Sequence, residues 1–351
     1  EDYWMKTLVA DLEADGFLPE MTTIWCLTIK DRDTGEKQTF SDHSSNYPSL
    51  REGVAWLTEA DHAIFHNGLG YDAWALIRMG FEIDYKKIID TLVISSLIDP
   101  QMKAHSLKAW GERLDNHKGD WTDFSRFDEE MLRYCEQDVE VTDAIYSHLM
   151  PQMQQHSDQA IRLEHDVAWI IEMQRQNGFR LDVSACHELV GELLQEREEH
   201  TRALREIFPP IFVPEKKGEV VTPKVNNSKR GITKGHPYCK VKVQVFNPGS
   251  DQQKAERLKR LGWKPKEFTP TGQPKVGYEI LASLPFEEAK ALARYDRIEK
   301  MLGQITGAEG WFKHLQGERV HGSVNTNGAR TGRMTHFAPN MAQVDKKEPR
   351  M

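Results

Sequence analysis

The sequence predicts an α/β domain over residues 1–150, followed by a mainly helical region. Three observations carry this prediction. Strand-like runs at residues 5–13, 23–30 and 36–41 come first, ahead of a mixed strand and helix series. Long stretches with a helical apolar period occupy 125–149, 158–208 and 283–305. The charge divides in the same way. Residues 1–150 hold 29 Asp and Glu against 14 Lys and Arg, a net of −15, whereas the other 201 residues carry +7 within an overall −8. An acidic module therefore precedes one suited to polyanions.

Taken in order, the second and third strands are joined by "DRDTGE", whose Asp and Gly favour a tight turn. "HAIFHN" reads as a fourth strand ending at Asn67-Gly68. A short helix follows from about Asp72 to Met79 and stops at Gly80. "KIIDTLVISSLI" reads as a further helix. "SRFDEEMLRYCEQDVEVTDAIYSHL" is a stronger one, with Met131, Cys135, Val139, Thr142, Ile145 and Leu149 on one stripe and Ser125-x-x-Asp128 as its cap. Two helices then meet at Gly178. Residues 209–245 are rich in Pro, Gly and Lys and lack a period, so they read as a loop or irregular insertion. "SDQQKAERLKRLG" has a cap at Ser250-x-x-Gln253 and a stop at Gly262. The last forty residues are β-like and rich in Gly and Asn.

Composition removes several classes. No apolar run approaches the roughly 20 residues of a membrane span. Cys26, Cys135, Cys186 and Cys239 are far apart and form no C-x-x-C pair, which speaks against a disulfide framework or structural zinc and fits a reducing cytoplasm.

Asp11 and Glu13 lie two apart at the end of a predicted strand and so project to one side. Alone, D-x-E means little, because acidic turns are common. Two further patterns join it. Asn67-x-x-x-Tyr71-Asp72 puts an acid at a helix start after a strand, and Tyr134-x-x-x-Asp138 puts a phenol and a carboxylate on one helical face. Four convergent carboxylates suit hard divalent cations, with magnesium expected and manganese as the alternative. Two such ions can activate a water and stabilise the leaving oxygen of a phosphodiester. The competing reading, ordinary surface acids, would be the default for each acid taken singly.

On these motifs the sequence resembles the DEDD-type 3′–5′ exonucleases, in the subclass whose third motif carries tyrosine. The resemblance implies a ribonuclease H-like fold for 1–150. It further implies that Asp11 bridges two metals, that Glu13 and Asp138 complete one site, that Asp72 serves the second, that Tyr134 orients the attacking water and that Asn67 shapes the site and meets the DNA.

The remainder resembles the thumb of a family A DNA polymerase of T7-like phages, from Met5 onward over nearly the whole chain. "IDTLVISSLI" with "SLKAWGERL", then "VFNPGSDQQKAERLKRLGW" and "HGSVNTNGARTGRMTHFAPNMAQV" carry it. By this resemblance 151–320 is a thumb with a basic insertion near 209–245, and 321–351 begins a palm. Lys254, Arg257 and Arg260, after a helix cap, would meet phosphates. Arg330, Arg333, Asn340 and Gln343 would lie near primer–template DNA, with Arg330 a departure from the apolar residue expected there. The 209–245 region is much shorter than the insertion that binds thioredoxin in T7-like enzymes, which speaks against a thioredoxin-type processivity factor. No palm aspartate motif and no fingers motif occur. The expectation is therefore the exonuclease and thumb part of a phage replicative polymerase, acting on a single-stranded DNA 3′ end and on primer–template in the cytoplasm of an infected bacterium. A palm-and-fingers chain would be its partner if the enzyme is naturally split. The alternatives are a stand-alone RNA-processing 3′–5′ exoribonuclease and a non-enzymatic DNA-clamping subunit.

Overall fold

A computed structural model describes residues 6–344; Met5 and residues 345–351 of the expected palm start lie outside the described residues. The described chain packs as two units, one of residues up to Phe179 together with His321–Gln343, the other from Arg180 to Val320.

The first unit is built on a five-stranded mixed sheet. β1 (Thr7–Ala14) lies at its centre, antiparallel to β2 (Ile24–Asp31), which pairs with β3 (Lys37–Phe40). On its other side β1 runs parallel to β4 (His62–Phe65), and β4 to β5 (Ile88–Asp90), giving the order β3-β2-β1-β4-β5. The alternation of β1 sets its two faces. Leu8, Ala10, Leu12 and Ala14 join a core with α1 (Leu50–Glu59) and α2 (Asp72–Arg78). Val9 packs oppositely with Ile64, Val139 and Tyr146, beneath α5 (Glu129–Met153). Asp11 and Glu13 share that second face.

Helix α1 escaped the sequence reading, although Ser49 and Glu52 form a reciprocal capping box, worth about 1 kcal/mol. "KIIDTLVISSLI" is a strand and a helix rather than one helix. Asp90 ends β5 and caps α3 (Thr91–Ile98) by accepting from the Leu92 amide. α4 (Leu107–Arg113) follows. α5 starts at Glu129 with Asp128 as its cap, while Ser125 bonds Asp123 instead of capping. Its rotation over the sheet is fixed from β2: Lys30 Nζ lies 2.6 Å from Glu140 and 2.9 Å from Asp143, and Arg32 Nε 2.6 Å from Asp143.

The first packing unit runs past residue 150 to Phe179, and a further break falls between Val320 and His321. α6 (Asp158–Asn177) belongs with the first unit, where Trp169 stacks on Trp74 at 4.3 Å and on Tyr85 at 4.7 Å. Such ring pairs contribute about 1 kcal/mol beyond their burial. Strands Ser323–Asn325 and Thr335–Phe337 pair in the same unit, where Asn327 donates to Glu164 at 2.9 Å.

The second unit is mainly helical. α7 (Val183–Ile207), α8 (Asp251–Arg260), α9 (Tyr278–Ser283) and α10 (Glu287–Thr306) surround a core that includes Leu204, Phe246, Leu258, Leu281 and Leu292. The stretch 209–245 is not a plain loop. Ile211–Pro214 pairs with Val241–Gln244, and Val220–Val221 with Tyr238–Cys239, both antiparallel.

Candidate metal centre

α5 lies across the face of β1 that carries the two acids, so residues a helical turn apart on α5 meet residues two apart on β1. Cys135 Sγ donates to the Asp11 carbonyl at 3.3 Å and approaches Asp11 Oδ2 at 3.7 Å. One ligand atom each from Asp11, Glu13 and Cys135 fall within 4.8 Å of one another. Asp72 arrives from α2, where the Leu12 amide donates to its Oδ1 at 3.3 Å. Asp11, Glu13, Asn67, Asp72, Lys118 and Asp138 all line one cavity of about 440 Å³.

The turn that delivers Asp72 is held from below. Asn67 has φ of 70°, in the left-handed region that Asn tolerates better than most residues. Asp90, buried at the end of β5, accepts from the Asn67 and Leu69 amides at 2.9 and 3.0 Å. Tyr71 donates to the Gly16 carbonyl at 2.5 Å, tying the turn to the chain beyond β1.

The cavity is electrostatically unsettled. Burial first, then the facing charges of Glu13, Asp72 and Asp138, hold the Asp11 carboxyl well above its usual range. Burial and the Asp138 charge push Glu13 up to about 8, burial pushes Asp72 up to about 7, and burial takes Asp138 to about 6 against the opposing pull of Lys118. Burial alone would lower the Lys118 ammonium, but its bond to Asp138 Oδ2 and that carboxylate's charge raise it. The same ammonium sits 4.5 Å from the centre of the Tyr134 ring. Tyr134 is raised by burial to about 12, so it keeps its proton at neutral pH.

The residues fit a divalent cation. Asp138 Oδ1 is buried and has no hydrogen-bond partner, an expensive state for a carboxylate oxygen of a residue set among other acids. The donor set is mainly carboxylate oxygen, which hard ions prefer. Cys135 is the one soft donor beside it.

Sequence reasoning missed Lys118, Cys135 and the Asp90 support. "DNHKGD" carries no motif that singles out its lysine, and Asp90 was hidden inside a predicted helix. The predicted DNA contacts fare unevenly. Lys254 is 3% exposed and is bonded to Asp296 at 2.6 Å and Asp251 at 3.0 Å, so it ties α8 to α10 and is not free for a phosphate. Arg257 is also buried, with its guanidinium over the Phe246 ring. On α8 the outward cations are Arg260 and its neighbour Lys259. Arg330 and Arg333 are exposed, Arg330 bonding Gln101 at 3.4 Å; Asn340 accepts from the Ala342 amide, and Gln343 is exposed. None of these four lines the acidic cavity.

The first unit is an α/β protein unit with an acid-lined cleft, and comparison with known proteins narrows the class. The chain is 30% identical to the DNA-directed DNA polymerase of Escherichia phage T7 and 30% to that of Enterobacteria phage T3, each over 96% of this chain and 62% of the relative. DNA polymerase I of Rhizobium leguminosarum is 23% identical over 79% of the chain and 25% of its own length. Among solved structures, the POL domain of Pol1 from M. smegmatis, in complex with DNA primer-template and dNTP, superposes with a TM-score of 0.67 at 14% identity over 99% of this chain and 53% of that one. No protein-family model matches.

The chain is homologous to the DNA-directed DNA polymerases of phages T7 and T3. It spans less than two thirds of the phage relatives' length. The alignment runs over 442 positions against 351 residues here, so those relatives carry residues within the matched span that this chain lacks.

Proposed function

We propose that the first unit is a ribonuclease H-like 3′–5′ exonuclease that removes 3′-terminal nucleotides from DNA, and that the second contributes thumb contacts to primer–template. The observation that carries this reading is the convergence of Asp11 and Glu13 from β1, Asp72 from α2 and Asp138 from α5 on one cavity, with the Tyr134 ring of α5 beside the Lys118 ammonium that also lines it. The mixed sheet, in the order β3-β2-β1-β4-β5, supports the fold assignment.

Asp11, Glu13, Asp72 and Asp138 would hold two divalent ions, magnesium or manganese, which supply an activated water and charge stabilisation at the phosphodiester. The chain's own part is to present the acids already desolvated and repelling one another, so that binding cations relieves a strain already built in. Tyr134, protonated at neutral pH, keeps a donor available to orient a water. Asp90 fixes the turn that sets Asp72 and Asn67.

The retained acids favour an active nuclease over a subunit that only clamps DNA, and the polymerase relatives favour DNA over RNA. In the cell the setting would be the cytoplasm of an infected bacterium; among the described residues no helix is long and apolar enough to cross a membrane. The test is incubation of single-stranded DNA and RNA oligonucleotides, labelled at the 3′ end, with magnesium. Release of 5′-mononucleotides from DNA, arrested by EDTA, supports the reading. Preferential release from RNA favours the RNA-trimming alternative.

A further inference from the structure

We propose that Lys118 is a substrate-binding residue of the cleft, one whose ammonium engages Asp138 while the acids lack metal and is freed by metal binding to grip a phosphate of the DNA 3′ end. The proposal rests on the exonuclease reading and adds to it a residue outside the carboxylate and tyrosine motifs.

The first observation is charge. Among the described residues, Lys118 is the one lining the cavity that carries a fixed positive charge, beside four carboxylates. His66 also lines it, but burial lowers its imidazole to about 4, so it is neutral. With all four acids ionised, one ammonium leaves the cleft net negative, which repels a DNA phosphate. Once the acids are neutralised by divalent cations, the ammonium is surplus at Asp138 and the nearest partner for an incoming anion.

The second observation is how the residue is held. Its backbone is strapped to α5 while its side chain ends in the cleft. Gln137 Nε2 donates to Asn116 Oδ1 and to the His117 carbonyl, both at 2.9 Å, and Asn116 Nδ2 donates to the Glu140 carbonyl at 3.3 Å. Gly119 permits the close fit, because a Cβ there would lie 3.0 Å from Tyr134 Cδ2. Among the described residues the ammonium meets Asp138 Oδ2 and Tyr134. A long flexible stem on a fixed base suits a group that changes partner within one site.

The third observation is Asp138. One of its oxygens is taken by Lys118 and the other has no partner. Lysine and metal would therefore draw on one carboxylate, and the ammonium's charge opposes a cation at its other oxygen. A purely structural Lys118 would instead support the metal site by holding Asp138 and Tyr134 in place.

The test uses the full chain as wild type, Lys118→Ala and Lys118→Arg. Mn²⁺ binding without DNA is followed by electron paramagnetic resonance. Single-turnover cleavage of single-stranded DNA is then measured at saturating Mg²⁺. Loss of the competing ammonium should tighten Mn²⁺ binding by about tenfold in Lys118→Ala, the size of one charged hydrogen bond. The same variant should cleave about 100-fold more slowly, as when one stabilising donor is removed, with Lys118→Arg in between. Weaker or unchanged Mn²⁺ binding in Lys118→Ala, or wild-type cleavage by it, overturns the proposal. Failure of the exonuclease reading itself shows differently: wild type and Asp11→Ala then cleave alike or not at all, while the Mn²⁺ affinities still decide whether Lys118 competes with the metal.

Discussion

Asp90 and His165, 75 residues apart, meet through a hydrogen bond in which the Asp90 amide donates to His165 Nε2 at 2.9 Å. That bond fixes the tautomer: Nε2 accepts, so Nδ1 carries the proton and donates to the Ile161 carbonyl at 2.8 Å. Burial lowers the imidazole and keeps it neutral. The pair joins α6 to the end of β5, where the Asp90 carboxylate holds the amides of Asn67, Leu69 and Leu92. A residue far along the chain thus helps place the turn that delivers Asp72.

Asp90→Ala leaves three amides without their acceptor. It should lower the unfolding free energy by about 3 kcal/mol, read by calorimetry in the absence of metal. Cleavage should fall further than the remaining folded fraction accounts for. An unchanged melting temperature would remove Asp90 as the support of this turn.

The raised carboxylates give the metal-free protein an unusual dependence on pH. A carboxyl whose pKa is higher folded than unfolded binds more protons in the folded state, so its ionisation destabilises the fold. With Glu13 near 8 and Asp72 near 7, stability in EDTA should rise as pH falls from about 9 toward 6.5. Below that, His66 and His165 act in reverse. Both are lowered by burial, so stability is lost as pH falls through the ordinary histidine range near 6.5. Thermal melts in EDTA from about pH 9 to 6.5 should show this rise, and Glu13→Gln or Asp72→Asn should flatten it. Added Mg²⁺ should stabilise most at the alkaline end.

Lys254 and Arg260, six residues apart on α8, should separate stability from binding. Lys254→Ala leaves the half-buried Asp296 without its partner and should cost about 2 kcal/mol. Arg260→Ala should leave the melting temperature unchanged and reduce the salt slope of DNA binding by about one. The reverse pattern would return Lys254 to the DNA surface.

Tyr134 and Asp138 should differ in the depth of their effects. Asp138→Ala takes away a metal-facing carboxylate and should reduce cleavage about 1,000-fold or more, while Tyr134→Phe removes only a hydroxyl donor and should cost about tenfold. Circular dichroism would check that both remain folded. Equal losses would mean that the phenol does more than orient water.

Much of this was legible in the sequence because the signals were local. The D-x-E pair needs only strand alternation, and Tyr134 with Asp138 only a helical turn. Both survive the folding of everything around them. The Asp251–Arg260 helix was equally readable from its Ser250 cap. What the sequence hid was decided by tertiary placement. Asp90 looked like a helical residue because its strand is three residues long. Lys254 and Arg257 looked like exposed cations because nothing in "KAERLKR" tells which face α10 covers. Lys118 had no pattern at all; its meaning comes from a loop strapped to α5.

The most direct test of the account is a primer–template whose 3′ end is mismatched and labelled, incubated with the wild-type chain and with Asp11→Ala in magnesium. The wild type should release the terminal nucleotide stepwise, faster from the mismatched than from the paired end, and Asp11→Ala nearly none. Release at equal rates by both proteins, or no release by the wild type at any magnesium or manganese concentration, would contradict it.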